Sequence, residues 1–120
     1  MSKINSIAAT YAYRRKVALA AASGHSISKI SYLAFGSGDR PYALDDTRLQ
    51  SEFKRVSAST VVSGVELLAT ATLKGRDVGS HTLREVGGFT ADGTLVGRRI
   101  IAPKQFEPET EMDFELTFQY

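Results

Sequence analysis

The chain has 120 residues, of which 42% are hydrophobic and 23% are charged, a composition typical of a folded globular protein. This length favours a single domain spanning residues 1–120, because a separate core usually needs on the order of 100 residues. The formal net charge is +2 and the basic residues are spread along the chain, so the charge pattern indicates no nucleic-acid partner. The absence of cysteine excludes disulfides and thiolate metal sites, and no apolar stretch predicts membrane insertion.

The N-terminal part is rich in alanine and predicts one helix. Asn5 or Ser6 can cap it, and the segment from Ile7 to Ser23 contains no proline or glycine. The apolar stripe of this helix consists of Ala9, Tyr13, Val17 and Ala20. We expect the stripe to lie against a sheet. Gly24 follows directly and suits the left-handed conformation that ends many helices.

After Gly24 the sequence changes to β-branched, aromatic and Ser/Thr residues, which favour strands. The segment from Ile30 to Phe35 has apolar residues at both parities, as is typical of a central strand. Two further predicted strands, Phe53 to Val62 and Val65 to Leu73, flank a turn predicted at Ser63-Gly64.

The C-terminal half predicts a second hairpin and a final strand. Asp92-Gly93 favours a tight turn between strands near Arg84 to Phe89 and Leu95 to Ile101. The final strand alternates, and one of its faces carries Met112, Phe114, Leu116, Phe118 and Tyr120. Pro103 and Pro108 are expected to bracket the loop before it. The pattern predicts an α+β fold in which one N-terminal helix packs on a mostly antiparallel β-sheet of about six strands.

Signatures of catalysis, cofactor binding and metal binding are weak, so we predict that the chain is not an enzyme and binds no cofactor or metal. His25 and His81 are the two histidines, and neither has metal-ligand spacing. The Gly36-Ser37-Gly38 segment is followed by Pro41 where a phosphate-binding helix would have to begin, which favours a structural turn. A small hydrolase would require His81, a carboxylate and a serine to meet in one cleft.

The acidic residues of two segments are expected to have structural roles. Asp39, Asp45 and Asp46 lack the spacing of a calcium loop, and Asp45 or Asp46 is expected to cap a short turn through Leu49. Glu85 can form a cross-strand ion pair with Arg84 or Arg98, worth little if it lies on a wet surface.

The run from Leu83 to Val96 contains Arg-Glu-Val-Gly-Gly-Phe, then the turn Thr-Ala-Asp-Gly, then an apolar strand. It resembles the signature of phage tail fibre N-terminal (tail-collar) domains. A second block, Ile30 to Asp39, is similar to the family's apolar strand and Gly-x-Gly turn, and Thr47 to Leu49 and Arg55-Val56 resemble the segment between the two blocks. The resemblance covers roughly Tyr11 to the C-terminus. It departs at Gly88 and Thr90, where such domains more often have Leu and Asp.

The resemblance implies a structural virion component that docks a fibre on the baseplate of a phage or prophage-derived tail. It also implies synthesis in the bacterial host cytoplasm and location in the virion tail. Tail fibres of this kind are generally trimeric, so the resemblance suggests a homo-oligomer, with the oligomeric state of this chain left open. We expect contacts with baseplate or other tail proteins in the exposed loops Gly36 to Leu49 and Lys74 to Thr82. The predicted contact residues are Tyr42, Arg48, Asp39, Arg76 and His81.

The alternative is a free-standing carbohydrate-binding module that recognises host envelope sugars. Aromatic residues are frequent in one short span, which contains Tyr11, Tyr13, Tyr32, Phe35 and Tyr42. Tyrosine is favoured at sugar-binding surfaces and at protein contacts, so exposed members of this set would have to line a groove. Packing of the helix on the sheet explains Tyr13, Tyr32 and Phe35 equally well.

Overall fold

The computed structural model describes residues 6–119, which form eight strands and two helices. The elements are β1 (Ser6–Ala8), α1 (Tyr11–Ser23), β2 (Ile30–Gly36), β3 (Glu52–Ser57), β4 (Ser59–Ser63), β5 (Glu66–Lys74), α2 (Gly75–Val78), β6 (Leu83–Thr90), β7 (Leu95–Lys104) and β8 (Glu111–Gln119). The α+β class and the N-terminal helix are confirmed.

The strands form two sheets, so the prediction of one sheet of about six strands is wrong. One sheet has the order β1-β8-β5-β4 and the other has the order β3-β2-β6-β7. All neighbouring strands are antiparallel except β1 and β8, which are parallel. The predicted strand Phe53 to Val62 is divided at Ala58, whose N–H donates to the carbonyl of Ser31 at 2.9 Å. This division lets β3 and β4 enter different sheets.

The N-terminal helix begins four residues later than Ile7. Thr10 caps it, with its hydroxyl accepting from the N–H of Tyr13 at 3.1 Å, and Ser6–Ala8 instead pairs with β8. Ser6 cannot cap the helix here, because residues 6–8 are extended and pair with β8. The alternative cap, Asn5, lies outside the described residues. Gly24 ends α1 in the left-handed conformation, with φ of 72°, as predicted.

The prediction that the helix buries an apolar stripe on a sheet is wrong for most of its length. Tyr13 is the buried residue of α1, whereas Val17 is 36% and Leu19 43% exposed. An alanine-rich helix has few large side chains to bury, so only its first turn is held against the sheets.

Both predicted hairpins are present, with one change of register. The β4–β5 turn has Gly64 and Val65 at its centre, not Ser63 and Gly64, and Gly64 has φ of 62°. Glycine at the first central position is the pattern of a type II′ turn. The hairpin at Asp92-Gly93 is confirmed, with φ of 89° at Gly93 and with the N–H of Gly93 donating to the carbonyl of Thr90 at 3.0 Å. The prediction that Pro103 borders the loop is wrong, because Pro103 lies within β7, an edge strand, where its missing N–H is tolerated.

The core lies between the sheets and is built mainly from β-strand side chains, with Tyr13 of α1 and Val78 of α2 added. Its fully buried members include Leu33, Phe35, Leu73, Leu83, Val86 and Phe118. Gly88 and Gly97 make room for the Phe118 ring, since a Cβ at either position would lie 2.5 Å and 3.0 Å from ring carbons. A Leu at Gly88 could not fit against this ring without moving it. The last predicted strand residue, Tyr120, lies outside the described residues.

Candidate docking loop and the charges beneath it

The longest connection between strands of one sheet joins β2 to β3, and we call residues 37–51 the β2–β3 loop. It contains the predicted contact residues Asp39, Tyr42 and Arg48. The predicted capped turn from Asp46 through Leu49 is not formed; the turn of this loop lies earlier, where the N–H of Asp46 donates to the carbonyl of Ala43 at 3.0 Å. Its conformation depends instead on side chains from β6 and β7.

Glu85 of β6 ties the two ends of this loop together. The residue is fully buried, and its carboxylate accepts hydrogen bonds from the backbone N–H groups of Gly38 at 2.9 Å, Gln50 at 3.0 Å and Ser51 at 2.7 Å. One carboxylate thus satisfies three backbone donors from both ends of the loop. Charge-assisted bonds of this type are stronger than neutral ones.

Arg98 of β7 extends the network into the middle of the loop. Its Nε donates to Glu85 at 2.7 Å, and its Nη1 donates to Asp46 at 3.0 Å. Its remaining terminal nitrogen donates to the carbonyl of Arg40. Arg98 is 1% exposed, so the predicted pair with Glu85 is confirmed, but it is a core interaction and not a surface one.

Asp46 completes the network from within the loop. Its carboxylate accepts from the guanidinium of Arg40 at 2.8 Å and from the N–H of Ala43 at 3.1 Å, in addition to Arg98. Arg40 remains about half exposed, whereas the Asp46 side chain is 5% exposed. The loop therefore contributes one buried anion and one partly exposed cation.

Burial and hydrogen bonding act in opposite directions on the two carboxylates. Burial favours the neutral acids, but hydrogen bonds from Arg98 and three backbone amides lower the pKa of Glu85. In Asp46, burial is likewise outweighed by hydrogen bonds from Arg40 and Ala43 and by the charges of Arg40 and Arg98, so its pKa is lowered. Both groups are consequently anionic at neutral pH.

Two glycines allow the loop to approach Glu85 closely. A Cβ at Gly36 would lie 2.5 Å from the Glu85 carboxylate and 2.6 Å from the carbonyl oxygen of Ser51. A Cβ at Gly38 would lie 2.6 Å from the same carboxylate and 2.4 Å from Cβ of Gln50. The Gly-Ser-Gly segment is thus a close-packed structural turn.

Tyr42 connects the loop to the N-terminal segment. Its hydroxyl donates to the carbonyl of Ala8 at 2.7 Å, and the N–H of Tyr11 donates to the carbonyl of Leu44 at 2.8 Å. The Tyr42 ring is half-buried against the core, and this burial raises the pKa of its hydroxyl to about 12. Tyr42 therefore holds the loop in place, and part of its ring remains available for contact.

The other predicted contact residues occupy two exposed surfaces. Asp39 and Arg48 are exposed on the β2–β3 loop. Arg76 and His81 are exposed on the segment after β5, which contains the short helix α2 and was predicted as a loop. The His81 ring stacks on Phe53 of β3, with ring centres 4.5 Å apart. Both surfaces adjoin β3, but no described contact joins the two pairs.

A groove of about 520 Å³ lies between β3 and β5, but its walls show no catalytic arrangement. It is lined by Val56, Ser57, Ser59, Thr70, Ala71, Thr72 and Asp113. His81 is not among these residues. Across residues 6–119, no group of three His, Asp or Glu side chains is placed to hold a metal ion, and no helix is long and apolar enough to cross a membrane.

Comparison with known proteins adds no relative: no family model, curated protein or solved structure matches this chain.

Proposed function

We propose that this chain is a structural attachment module that docks a fibre on the baseplate of a phage or prophage-derived tail. The proposal is supported by where the fold brings the sequence blocks of the tail-collar resemblance. Blocks Ile30 to Asp39 and Leu83 to Val96 lie on adjacent strands of one sheet, and Thr47 to Leu49 belongs to the loop that Glu85 ties to this sheet. Residues that resemble one signature thus form one structural unit.

The observation that carries the proposal is the buried network in which Glu85 and Arg98 of the sheet bind Asp46 of the β2–β3 loop, below the exposed residues of that loop. Buried charges are costly, and here they satisfy backbone amides of the loop and fix its conformation. A loop fixed before binding loses little conformational entropy when a partner docks, which favours affinity. The exposed charges of Asp39, Arg40 and Arg48 then supply a polar rim suited to a protein partner.

The carbohydrate-binding alternative requires aromatic rings that line a groove. Among the tyrosines of residues 6–119, Tyr11 is 57% exposed, Tyr13 is buried, and Tyr32 and Tyr42 are half-buried. The groove between β3 and β5 is lined by aliphatic and small polar side chains and by the carboxylate of Asp113, with no aromatic ring. These features favour attachment over sugar binding.

The test is to mix the purified chain with the baseplate and fibre proteins encoded by neighbouring genes and to measure complex mass by light scattering. We expect a defined complex that is weakened by the double variant Asp39→Ala/Arg48→Ala. Arg15→Ala, which alters an exposed residue of α1, should bind like the wild type. A chain that binds none of the tail proteins would contradict the proposed function. A double variant that forms the complex as the wild type does would contradict the proposed contact surface.

A further inference from the structure

The two sheets have four edge strands, and β4 differs from the other three. β1 has three residues, and β3 carries the charges of Glu52, Lys54 and Arg55. β7 contains Pro103 and is covered near its start by Thr10, whose N–H and hydroxyl donate to the carbonyls of Val96 and Leu95. Shortness, charge, proline and coverage are the usual means by which proteins prevent edge strands from pairing with other chains.

β4 has none of these protections. All five of its residues are exposed, and the run 57–65 that contains it has no charge and no proline. Val61 is 64% exposed, Val62 is 70% exposed, and Val65 in the adjoining turn is 88% exposed. A strand rich in β-branched residues with an open edge favours the addition of another strand.

The backbone groups that β4 offers follow from its pairing with β5. In a two-residue hairpin the residues next to the turn, here Ser63 and Glu66, exchange both hydrogen bonds, and the pairs then alternate along the strands. The N–H and C=O groups of Ser59, Val61 and Ser63 therefore face β5. Those of Thr60 and Val62 face away from the sheet, where no described strand pairs with them.

We propose that a second copy of this chain pairs with β4, strand against strand and antiparallel, about a two-fold axis at Val61. This register aligns all five residues of β4, with Val61 opposite its own copy and each Thr60 opposite Val62 of the second copy. Thr60 and Val62 are the residues whose backbone groups face outward, so each such pair can exchange two hydrogen bonds. The two sheets that contain β4 then become one continuous sheet.

The second copy is favoured over other occupants because the surface is self-complementary. Self-pairing brings like residues together, which is unfavourable for charged strands but harmless for a strand without charge. The two-fold arrangement is closed, so both copies of the open edge are consumed and no filament can grow. The pairing is small compared with the roughly 1,600 Å² of a standard interface, so we expect reversible association. This inference rests on the strand edge alone and is independent of tail attachment.

Cysteine cross-linking tests the register directly, since the natural chain has no cysteine. Val61 faces its copy in a pair that is not hydrogen-bonded, where Cα atoms are about 4.5 Å apart, a distance that a disulfide can span. We expect Val61→Cys to form a covalent dimer rapidly under mild oxidation, with Val65→Cys as the matched control that does so far more slowly. Equal rates for the two variants would overturn the register.

Light-scattering mass from low micromolar to millimolar concentration tests the association itself. We expect the wild type to move from its monomer mass of 13.0 kDa toward twice that value. Val61→Lys places two like charges on the axis and should remain monomeric, whereas Val65→Lys should still associate. Circular dichroism of each variant verifies that it folds. A wild type that stays monomeric, or that forms the trimer implied by the tail-collar resemblance, would overturn the proposal.

Discussion

The β2–β3 loop and the β4–β5 hairpin reverse the usual distribution of residues. Beneath the loop, Glu85, Asp46 and Arg98 are buried, whereas on the hairpin Val61, Val62 and Val65 are exposed. Charged residues are almost never fully buried unless they are paired, and β-branched apolar residues are usually buried to a larger extent than these three valines. The difference shows that buried charges fix the conformation of the loop, whereas the hairpin leaves apolar side chains exposed.

The largest effect on stability is expected from the loss of Arg98, which tests whether buried charges hold the loop. Replacement by Met in Arg98→Met leaves the carboxylates of Glu85 and Asp46 buried without their common cation. Removal of one partner from a buried ion pair typically costs about 3–5 kcal/mol, and we expect a loss of that size in the free energy of unfolding measured with urea.

Arg15→Met is the control for this change, because Arg15 is exposed on α1. We expect its free energy of unfolding to remain within about 0.5 kcal/mol of the wild type. If Arg98→Met were as stable as Arg15→Met, the network would not be the element that holds the loop.

A smaller effect is expected from Gly36→Ala. The added methyl group would lie 2.6 Å from the backbone oxygen of Ser51 and 2.5 Å from the Glu85 carboxylate, so the loop or the carboxylate must move. Overpacking of this kind typically costs about 1–3 kcal/mol. Ser59→Ala in the exposed strand β4 is a suitable control, and urea unfolding of both variants that gave equal stability would show that the close approach is unimportant.

The pH dependence of stability should come from the same network. Folding lowers the pKa of both Glu85 and Asp46, so their contribution is present above the unfolded carboxyl pKa of about 4 and is lost as the pH falls through the folded values. Each proton taken up on unfolding changes stability by at most about 1.4 kcal/mol per pH unit.

The variant Asp46→Asn removes one of these groups. We expect its free energy of unfolding to be lower than that of the wild type at neutral pH and to decline less steeply below about pH 4. Denaturant unfolding at a series of pH values measures both slopes. Parallel curves would mean that Asp46 has the same pKa in the folded and unfolded states.

Much of the strand pattern could be predicted from the sequence, because alternation and turn residues are local. The central position of Ile30 to Phe35, the hairpin at Asp92-Gly93 and the cap at Gly24 all follow from residues within a few positions of one another. The division of Phe53 to Val62 into two strands could not be predicted in this way. Ala58 carries no turn preference, and the division depends on a hydrogen bond to Ser31, which is distant in sequence.

The candidate site was predicted less completely, for a similar reason. The pair of Glu85 and Arg98 could be predicted because a single hairpin brings these residues together. Asp46 lies 52 sequence positions from its partner Arg98, and Arg40 contributes both a guanidinium and a carbonyl. Arg98 closely follows the apolar residues Leu95 and Val96, which are buried. A cation in such a segment was the one local sign that Arg98 is buried and needs a buried anion as its partner.

The smallest effect on stability is expected in the hairpin, from the substitution Val61→Thr. Val61 is 64% exposed, so Val61→Thr removes little buried apolar surface and keeps a β-branched residue in the strand. At concentrations where the chain is monomeric, we expect its free energy of unfolding to change by less than about 0.5 kcal/mol. Thr keeps the uncharged, β-branched character on which the proposed pairing rests, so light scattering at high concentration should show self-association close to that of the wild type. A large loss of monomer stability would instead mean that Val61 stabilises the fold. The hairpin would then contribute to internal stability, as the buried network of the β2–β3 loop does.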